Sequence, residues 1–462
     1  MEEIYNSLRT IYKYSADQLR DKCHITGLDT VSIFNSLFSI VFIVNNDKDQ
    51  FKEFNKQLLN CKKRIHDFND RKYFIDNYIK RFLKVNDEME KIINYKYFLS
   101  EETKDCTNEV IIIIILKIID FIKKYESYDI FNDLDIYGCI YEIISKDIGN
   151  SKIFGQYFTP INITNLTIKE LDPEPDKFIY DPCLGSGGFI ISYLNYIKKY
   201  GEDKYIKSLD KIYGCEILEK THNLACANLS IKTNHCLKHL YCANSLNDEI
   251  YYKSYCMKNN VQFSDYTDIY PEKMFNKFDY IVTNPPYGVK GINYKDVDTD
   301  YCPIESKNAI TLFIQMIIKC LKIGGKAAVV IPVGQEMNSI TRKESINLRQ
   351  LLLRTCKINK IIYLEPNTFE NTGVETCIMI FEKVKDFKDV IVESYKKLNK
   401  IISIGNDKYL NNINNDIIND EILYYINDSE YKVSKKEIED NKYVLDYRNY
   451  IKDDSIIDGI EY

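Results

Sequence analysis

Apolar residues in the first 150 positions recur at helical spacing. In the last clear stretch before residue 150 they return at the 3.6-residue period that places side chains on one face of a helix. No proline precedes Pro160 and only three glycines precede Gly155, so residues that interrupt helices are scarce there. We therefore predict a helical N-terminal domain over residues 1–150. The apolar face before the boundary consists of Leu134, Tyr137, Tyr141, Ile144 and Ile148.

From residue 151 to residue 385 the pattern changes to short apolar runs that alternate with helical stretches. The first run leads into a glycine-rich turn and then into the predicted helix Phe189–Ile197. Repetition of strand, turn, helix and strand is typical of a parallel sheet with helices on both faces, so we predict an α/β, Rossmann-like, doubly wound domain. Its predicted strands are Lys177–Tyr180, Lys211–Cys215, Phe278–Thr283 and Ala327–Ile331.

Residues 386–462 are rich in Asn, Asp, Lys and Tyr. Within them, Ser434 is followed three positions later by Glu437. This is a capping-box pattern, in which each side chain accepts a hydrogen bond from the backbone N–H of the other residue at the start of a helix. We therefore predict a short helical tail that follows the sheet domain.

Composition and charge limit the classes of function. The 462 residues exceed what one compact core accommodates and suit two or three domains. The formal net charge of −6 argues against a polycation that coats nucleic acid, so contact with DNA needs a local basic patch or a partner. The 14 cysteines show no regular framework and no signal peptide is evident, which favours reduced thiols in the cytoplasm. The longest apolar stretches, Val31–Val44 and Val110–Leu116, fall short of the ~20 residues that span a membrane.

A glycine-rich segment after the first predicted strand has the features of a nucleoside-binding turn. It begins at Asp181, and its glycines, among them Gly185 and Gly187, allow the backbone to approach a ligand closely. Glu216 follows the second predicted strand, where a carboxylate can accept hydrogen bonds from both hydroxyls of a ribose. The segment lacks the Gly-Lys-Ser/Thr ending of a phosphate-binding loop, which argues against ATP. A tight structural turn is the alternative at this stage.

The tetrapeptide Asn284-Pro285-Pro286-Tyr287 follows the third predicted strand, and its prolines fix the backbone there. The Asn284 side-chain oxygen and the Pro285 carbonyl can each accept one N–H of an exocyclic amine, which leaves the nitrogen lone pair available as a nucleophile. Tyr287 can stack on the ring, and such stacking contributes about 1–3 kcal/mol toward the cost of flipping a base out of a duplex. An ordinary turn is the alternative, and the tetrapeptide suits any planar exocyclic or amide nitrogen.

Together these motifs resemble those of S-adenosylmethionine-dependent adenine-N6 DNA methyltransferases, in particular the modification (M) subunits of type I restriction systems. The resemblance covers roughly residues 130–385 and is weaker over Val433–Tyr450. It implies a methyltransferase sheet, S-adenosylmethionine as cofactor and DNA as substrate. The segments that carry it are Tyr137–Glu142, Gly155–Pro160, Asp181–Ile190, Gly214–Glu216, Asn284–Tyr287, Lys322–Gly334 and Thr376–Phe381.

The resemblance also implies roles for single residues. Asn244 stands where the family has an aspartate, and its amide oxygen can still accept a hydrogen bond from the adenine amine of the cofactor. The other residues expected at the cofactor are Tyr157, Thr159 and Pro160 at its methionine end, Asp181, Gly185, Ser186 and Gly187 around its pocket, and Glu216 at the ribose. The residues expected to hold the flipped adenine are Asn284, Pro285, Pro286, Tyr287 and Phe369.

The function that the resemblance implies is methyl transfer to the N6 amine of adenine in DNA by a modification subunit of a restriction-modification system. Two alternatives stay open, which are methylation of a protein glutamine amide or an RNA base, and an inactive S-adenosylmethionine-binding scaffold. No large target-recognition domain is evident after residue 385, so we expect a partner specificity subunit, with a nuclease subunit in the complete system. We expect no metal, because the segment from His235 to Cys242 lacks the ligand spacing of a zinc site.

Overall fold

The structure is a computed structural model of the 462-residue chain. Its described residues form two compact units, one drawn from residues 1–154, 185–195 and 218–240, the other from residues 155–184, 196–217 and 241–462. The domain limits at residues 150 and 385 stay a prediction. The structure describes residues 2–26, 28–45, 48–63, 108–125, 159–233, 235, 237–247, 274–287, 294, 297, 302–365, 368–369, 374–384, 421–426 and 429–450.

The first unit contains four helices from the N-terminal part of the chain, and α2 packs against the other three. Tyr12 of the first helix meets Phe34 of α2 edge to face, with ring centroids 5.4 Å apart. The fourth helix is apolar on nearly every side and most of its residues are buried, as expected for a helix enclosed by neighbours. The predicted apolar face from Leu134 to Ile148 lies outside the described residues. The four helices are α1 (Glu2–Cys23), α2 (Leu28–Asn45), α3 (Lys48–Lys63) and α4 (Asn108–Lys124).

Helices and strands alternate from residue 161 onward, and α6 confirms the helix predicted at Phe189–Ile197. The helices are α5 (Ile161–Leu171), α6 (Gly188–Ile197), α7 (Glu202–Leu209), α8 (Glu219–Thr233), α9 (Ala309–Cys320), α10 (Gln335–Asn338), α11 (Lys343–Thr355) and α12 (Lys435–Asp440). The strands are β1 (Ile179–Asp181), β2 (Ile212–Glu216), β3 (His239–Cys242), β4 (Phe278–Thr283), β5 (Leu321–Pro332), β6 (Cys356–Tyr363), β7 (Thr376–Lys383), β8 (Glu421–Ile426) and β9 (Ser429–Ser434).

The nine strands form one sheet in the order β3-β2-β1-β4-β5-β7-β6-β8-β9. β1 pairs in parallel with β2 and with β4, and β4 pairs in parallel with β5. The carboxyl ends of β2, β1 and β4 therefore meet at one edge of the sheet, the edge where such folds bind ligands. β7 runs antiparallel between β5 and β6, which departs from an all-parallel sheet. The α/β fold class and the four predicted strands are confirmed.

β5 begins at Leu321 rather than at the predicted Ala327. A glycine pair, which ordinarily signals the end of a strand, lies inside it. A Cβ on Gly325 would lie 2.8 Å from the Phe278 carbonyl oxygen, so glycine is what lets β4 approach this closely. The register between the two strands shifts between Phe278 and Tyr280, as it does at a bulge. The pair thus marks an irregularity within the strand rather than its start.

The C-terminal part contains the predicted helix start and a feature that was not predicted. The Ser434 hydroxyl accepts from the Glu437 N–H at 3.4 Å, and the Glu437 carboxylate accepts from the Ser434 N–H at 2.9 Å, which confirms the capping box. Strands β8 and β9 precede this helix and extend the sheet. They were not predicted because their short apolar run lies in a stretch that is otherwise dominated by Asn, Asp and Lys.

Arg349 of α11 joins the helix to two distant segments. Its side chain is 1% exposed, and burial lowers the pKa of the guanidinium to about 10. The guanidinium donates to the carbonyl oxygens of Glu336 at 2.7 Å, Ser339 at 2.6 Å and Tyr443 at 2.8 Å. One cation thereby satisfies three backbone acceptors on the segment after β5 and on the C-terminal segment, which would otherwise be hard to pair in the interior.

Candidate active site

Three strand ends bring polar side chains to the same edge of the sheet. β1 ends at Asp181, β2 at Glu216 and β4 at Thr283, and β1 lies between the other two. All three side chains are buried. Two carboxyl groups and a hydroxyl thus stand at the carboxyl ends of parallel strands, where this class of sheet places its ligands.

Asp181 is the most perturbed of these groups. Burial raises its pKa to about 7, and the Glu216 carboxylate adds to that rise, whereas the Cys183 N–H and the Thr283 hydroxyl oppose it. Its Oδ1 accepts from the Cys183 N–H at 3.0 Å. Its Oδ2 and the Thr283 hydroxyl lie near each other, yet neither has a well-formed hydrogen bond among the described residues. A buried carboxylate with an unused oxygen is suited to a ligand that brings positive charge or donors.

The loop after β3 is fastened to the ends of β1 and β2. The Ala243 N–H donates to the Glu216 carbonyl at 3.0 Å, and the Ser245 hydroxyl donates to the Pro182 carbonyl. The Asn244 side-chain oxygen accepts from the Leu246 N–H at 3.0 Å, which leaves one lone pair of that oxygen for a ligand. The place of Asn244 at the cofactor stays a prediction, and the sequence did not indicate that the neighbouring Ser245 fastens this loop to the segment after β1.

Both ends of the Asn284 amide are hydrogen bonded within the chain. Its Nδ2 donates to the Thr159 hydroxyl at 2.9 Å, and its Oδ1 accepts from the Tyr287 hydroxyl. The Tyr287 hydroxyl also lies 3.5 Å from the Val330 carbonyl oxygen on β5. Burial raises the pKa of Tyr287 well above its usual value, so the phenol is a neutral donor. Pro285, which follows Asn284 in the sequence, is buried.

Phe369 lies against the tetrapeptide. Its ring meets the Tyr287 ring edge to face, with centroids 6.4 Å apart and planes at 82°. Phe369 is 3% exposed, so it is part of the packed surroundings of Tyr287. The structure therefore brings Thr159, Asn284, Tyr287 and Phe369 together, as residues of one unit. Contact of Phe369 with a flipped base stays a prediction.

The glycine turn is described within the first unit. Gly185 and Gly187 adopt φ of 54° and 88°, a backbone conformation that L side chains rarely take. The Asn228 amide donates to the Ser186 carbonyl at 2.9 Å and so holds the turn to α8. A Cβ on Gly187 would lie 3.1 Å from the Leu229 side chain, so the helix also limits the space at this turn.

The roles expected for Tyr157 and Pro160 at the cofactor stay predictions. Tyr157 lies outside the described residues, and Pro160 precedes α5, where its carbonyl accepts from the N–H groups of Ile163 and Thr164. In the part of the chain that the structure describes, no set of three or more His, Cys, Asp or Glu side chains is placed to bind a metal. The cysteines described there are free thiols, and none of the helices there has the length and apolar character needed to cross a membrane.

The sequence profile of one protein family matches most of the chain. That family is described as N-6 DNA Methylase, and the match runs over residues 132–458. The chain belongs to the N-6 DNA methylase family. The match includes all nine strands and the tetrapeptide that begins at Asn284, and it confirms the resemblance drawn from the motifs. Helices α1 to α4 precede the matched region.

Curated relatives of this N-6 DNA methylase family chain include subunits of restriction enzymes. The methylase subunit of the type I restriction enzyme EcoEI from Escherichia coli is 26% identical over 281 residues, which are 59% of this chain and 50% of that protein. The type II restriction enzyme and methyltransferase RM.BcgI from Heyndrickxia coagulans is 29% identical over 259 residues, 54% of this chain and 35% of that protein. The chain thus matches half or less of the length of these two relatives.

Solved structures share the fold of this family member. A type I restriction-modification system methyltransferase subunit from Streptococcus thermophilus has a TM-score of 0.56 at 15% identity, covering 97% of this chain and 100% of its own. A chain from a study of complex assembly and conformational transition of the type I R-M system has a TM-score of 0.59 at 15% identity, covering 98% and 94%. At this identity the likeness establishes the fold and nothing more.

Replacing Asp181 with asparagine is expected to change how the stability of the protein depends on pH. The folded pKa of about 7 lies above the usual aspartate pKa of 3.8, so the stability contributed by this carboxyl is complete below about pH 4 and is lost as the pH rises toward 7. The amide has no such loss. The free-energy difference between the asparagine variant and wild type should therefore grow by roughly 2–3 kcal/mol from pH 5 to pH 8.

Denaturant unfolding of the cofactor-free protein at several pH values measures this difference. Asp203→Asn, which removes a carboxylate from the exposed surface of α7, controls for the change in net charge. A free-energy difference that stays constant between pH 5 and pH 8 would show that Asp181 is ionised in the folded protein at pH 5.

Replacing Gly187 with alanine is expected to lower the free energy of unfolding by about 2–3 kcal/mol. The left-handed φ costs an L residue roughly 1–2 kcal/mol, and contact with Leu229 adds to that cost. Gly324→Ala is the control, because Gly324 has a φ of 80° and nothing within 4 Å of an added Cβ. Urea unfolding should show a smaller loss of unfolding free energy for the control. Equal losses would show that the Leu229 contact does not contribute.

Proposed function

We propose that this chain transfers a methyl group from S-adenosylmethionine to the N6 amine of adenine in DNA, as a modification subunit of a restriction-modification system. The observation that carries the proposal is the Asn284 amide, fixed at the carboxyl end of β4 with its oxygen bound to a hydroxyl that an amine can replace. Membership of the N-6 DNA methylase family supports the same reaction, as do relatives named as methylase subunits.

The chemical problem is that the amine of adenine is a poor nucleophile, because its lone pair is delocalised into the ring. A hydrogen bond from each N–H to a fixed acceptor favours a pyramidal nitrogen whose lone pair is free. The Asn284 oxygen and the Pro285 carbonyl are the proposed acceptors. Their contribution is positioning and electrostatics rather than proton abstraction by a base. Tyr287 must release the Asn284 oxygen in order to stack on the base, and the amine then takes the place of its hydroxyl.

The displaced phenol can then serve the base in a second way. Tyr287 and Phe369 already form an edge-to-face pair, so movement of one ring alters the environment of the other. Stacking on one aromatic ring contributes about 1–3 kcal/mol, which offsets much of the few kcal/mol needed to flip a base out of a duplex. We assign the stacking role to Tyr287 and an edge contact to Phe369, with Pro286 shaping the turn that carries Tyr287.

The buried edge of the sheet fits a cationic nucleoside cofactor. When bound, S-adenosylmethionine supplies a methyl group on a positively charged sulfur. The unused oxygen of Asp181 suits the positive charge of such a ligand, and Glu216 suits the ribose hydroxyls. The remaining residues of the proposed cofactor set are Tyr157, Thr159, Pro160, Gly185, Ser186, Gly187 and Asn244.

DNA is the substrate that the relatives favour over a protein glutamine amide or an RNA base. The tetrapeptide itself does not distinguish these acceptors, but the similar proteins are named as subunits or enzymes of restriction systems. The net charge of −6 leaves much of the contact with the DNA backbone to a partner. We therefore propose a specificity subunit, a nuclease subunit in the complete system, and the cytoplasm as the compartment.

Sequencing of DNA from cells that express the chain tests the proposal. A methylation-free bacterial host should carry the wild-type chain or Asn284→Ala, each alone and together with a candidate specificity subunit. Modified adenines should appear at one defined sequence with wild type and disappear with the variant. Unmodified DNA in every wild-type culture, with labelled methyl found in protein or RNA instead, would overturn the proposed substrate.

A further inference from the structure

Thr159 makes a contact that its expected place at the cofactor does not explain. It stands two residues before α5, and its hydroxyl oxygen lies 2.9 Å from the Asn284 Nδ2, although 125 positions separate the two residues. Both side chains are half-buried. An amide has a donor end and an acceptor end of nearly the same shape, and in the structure the donor end of Asn284 meets Thr159.

We propose that Thr159 is a positioning residue, which holds the Asn284 amide with its oxygen directed toward the substrate amine. This inference rests on the proposed function, because the amine is the group that needs the oxygen. The Thr159 oxygen accepts from Nδ2, and the opposite end of the amide is then the end that accepts from the Tyr287 hydroxyl. A substrate amine that replaces this hydroxyl meets an acceptor already in place.

The need for such a partner follows from hydrogen-bond accounting. When Oδ1 is engaged by the amine, the Nδ2 group requires an acceptor, and a buried donor left without one costs about 1–3 kcal/mol. Thr159 is the described side chain that meets this requirement. Valine has nearly the shape of threonine but no acceptor, whereas serine keeps the hydroxyl. The threonine-to-valine change therefore removes the hydrogen bond with little change in volume.

Loss of this hydrogen bond should weaken the hold of Asn284 on the substrate amine. Thr159→Val is expected to slow single-turnover methyl transfer about tenfold or more, the equivalent of one hydrogen bond, and Thr159→Ser to stay within about threefold of wild type. A duplex with purine in place of the target adenine lacks only the amine. In the absence of cofactor, wild type should bind the adenine duplex about tenfold more tightly than the purine duplex. For the valine variant this ratio of affinities should be less than about threefold.

The experiment compares Thr159→Val, Thr159→Ser and the double mutant with Asn284→Ala. The substrate is DNA of the sequence found by methylation mapping, and the partner subunit is present. Thr164→Val is the matched control, since its hydroxyl bonds the Ile161 carbonyl at 3.0 Å inside α5. In the Asn284→Ala background, Thr159→Val should cause no further loss of rate. Unchanged adenine preference in Thr159→Val, or a full additional loss in the double mutant, would overturn the inference.

Failure of the proposed function gives a different result. In that case wild type itself neither methylates adenine nor distinguishes adenine from purine, and the positioning role falls with it. If instead wild type does both and the Thr159 variants behave in the same way, the proposed reaction stands and Thr159 has no part in orienting Asn284.

Discussion

Asn284→Ala is expected to reduce the single-turnover rate of methyl transfer by about 10²–10³-fold, the range found when one preorganised hydrogen-bonding group is removed from a catalytic site. The substitution deletes the oxygen that now accepts from the Tyr287 hydroxyl and that is proposed to accept from the amine. Cofactor affinity should stay within about threefold, because Asn284 is not in the proposed cofactor set. Rapid-quench kinetics with labelled S-adenosylmethionine measures the rate, and calorimetry measures the affinity.

Two further variants test whether the loss of rate is due to the Asn284 side-chain oxygen. Asn284→Asp keeps an acceptor oxygen, so it should retain more activity than the alanine variant. Asn441→Ala removes an exposed amide that bonds the Glu437 carbonyl at the end of α12, and it should transfer methyl at the wild-type rate. An alanine variant at position 284 with a rate within threefold of wild type would refute the proposed role of the amide.

Arg349→Met is expected to lower the free energy of unfolding by about 4 kcal/mol. The guanidinium is buried and donates to three backbone carbonyls, and methionine fills part of the volume without any donor. Hydrogen bonds from charged groups contribute roughly 1.5–3 kcal/mol each, while removal of the buried charge recovers part of that loss. Guanidinium chloride unfolding, followed by circular dichroism, gives the difference.

The hydrogen bonds of Arg349 also predict which part of the protein the substitution destabilises. Its bonds hold Glu336 and Ser339, after β5, to Tyr443 in the C-terminal segment, so amide hydrogens near these residues should exchange faster in the variant. Arg342→Met, at an exposed position before α11, is the control and should change the free energy of unfolding by less than about 0.5 kcal/mol. A loss below 1 kcal/mol for Arg349→Met would mean that water or other donors readily replace the guanidinium.

Sequence patterns identified four of the nine described strands, because a strand buried on both faces forms a continuous apolar run. Phe278–Thr283 is such a run, and it forms β4 with the predicted bounds. Strand direction has no such signal: Thr376–Lys383 is equally apolar, yet it runs antiparallel to both neighbours. β5 begins before the predicted Ala327 and includes the Gly324–Gly325 pair, because the close approach of Phe278 requires glycine at position 325.

The candidate site was predictable as a set of motifs but not as a network of bonds. Each motif lies at the end of a strand, so the order of strands brings Asp181 and Glu216 to one edge. The bond between Thr159 and Asn284 joins residues 125 positions apart, and no local pattern encodes a contact at that separation. Nor could the sequence indicate that the Tyr287 hydroxyl occupies the Asn284 oxygen, because that depends on the side-chain conformation of the turn.

The most direct measurement is the chemical position of the transferred methyl group. DNA of the target sequence is incubated with the chain, its partner subunit and S-adenosylmethionine that carries a deuterated methyl group, then digested and analysed by mass spectrometry. The label should appear in N6-methyldeoxyadenosine with wild type and be reduced by about 10²–10³-fold with Asn284→Ala. Label in a methylated cytosine, in RNA or in a glutamine side chain, or equal label with the variant, would contradict the assignment of Asn284 to the adenine amine.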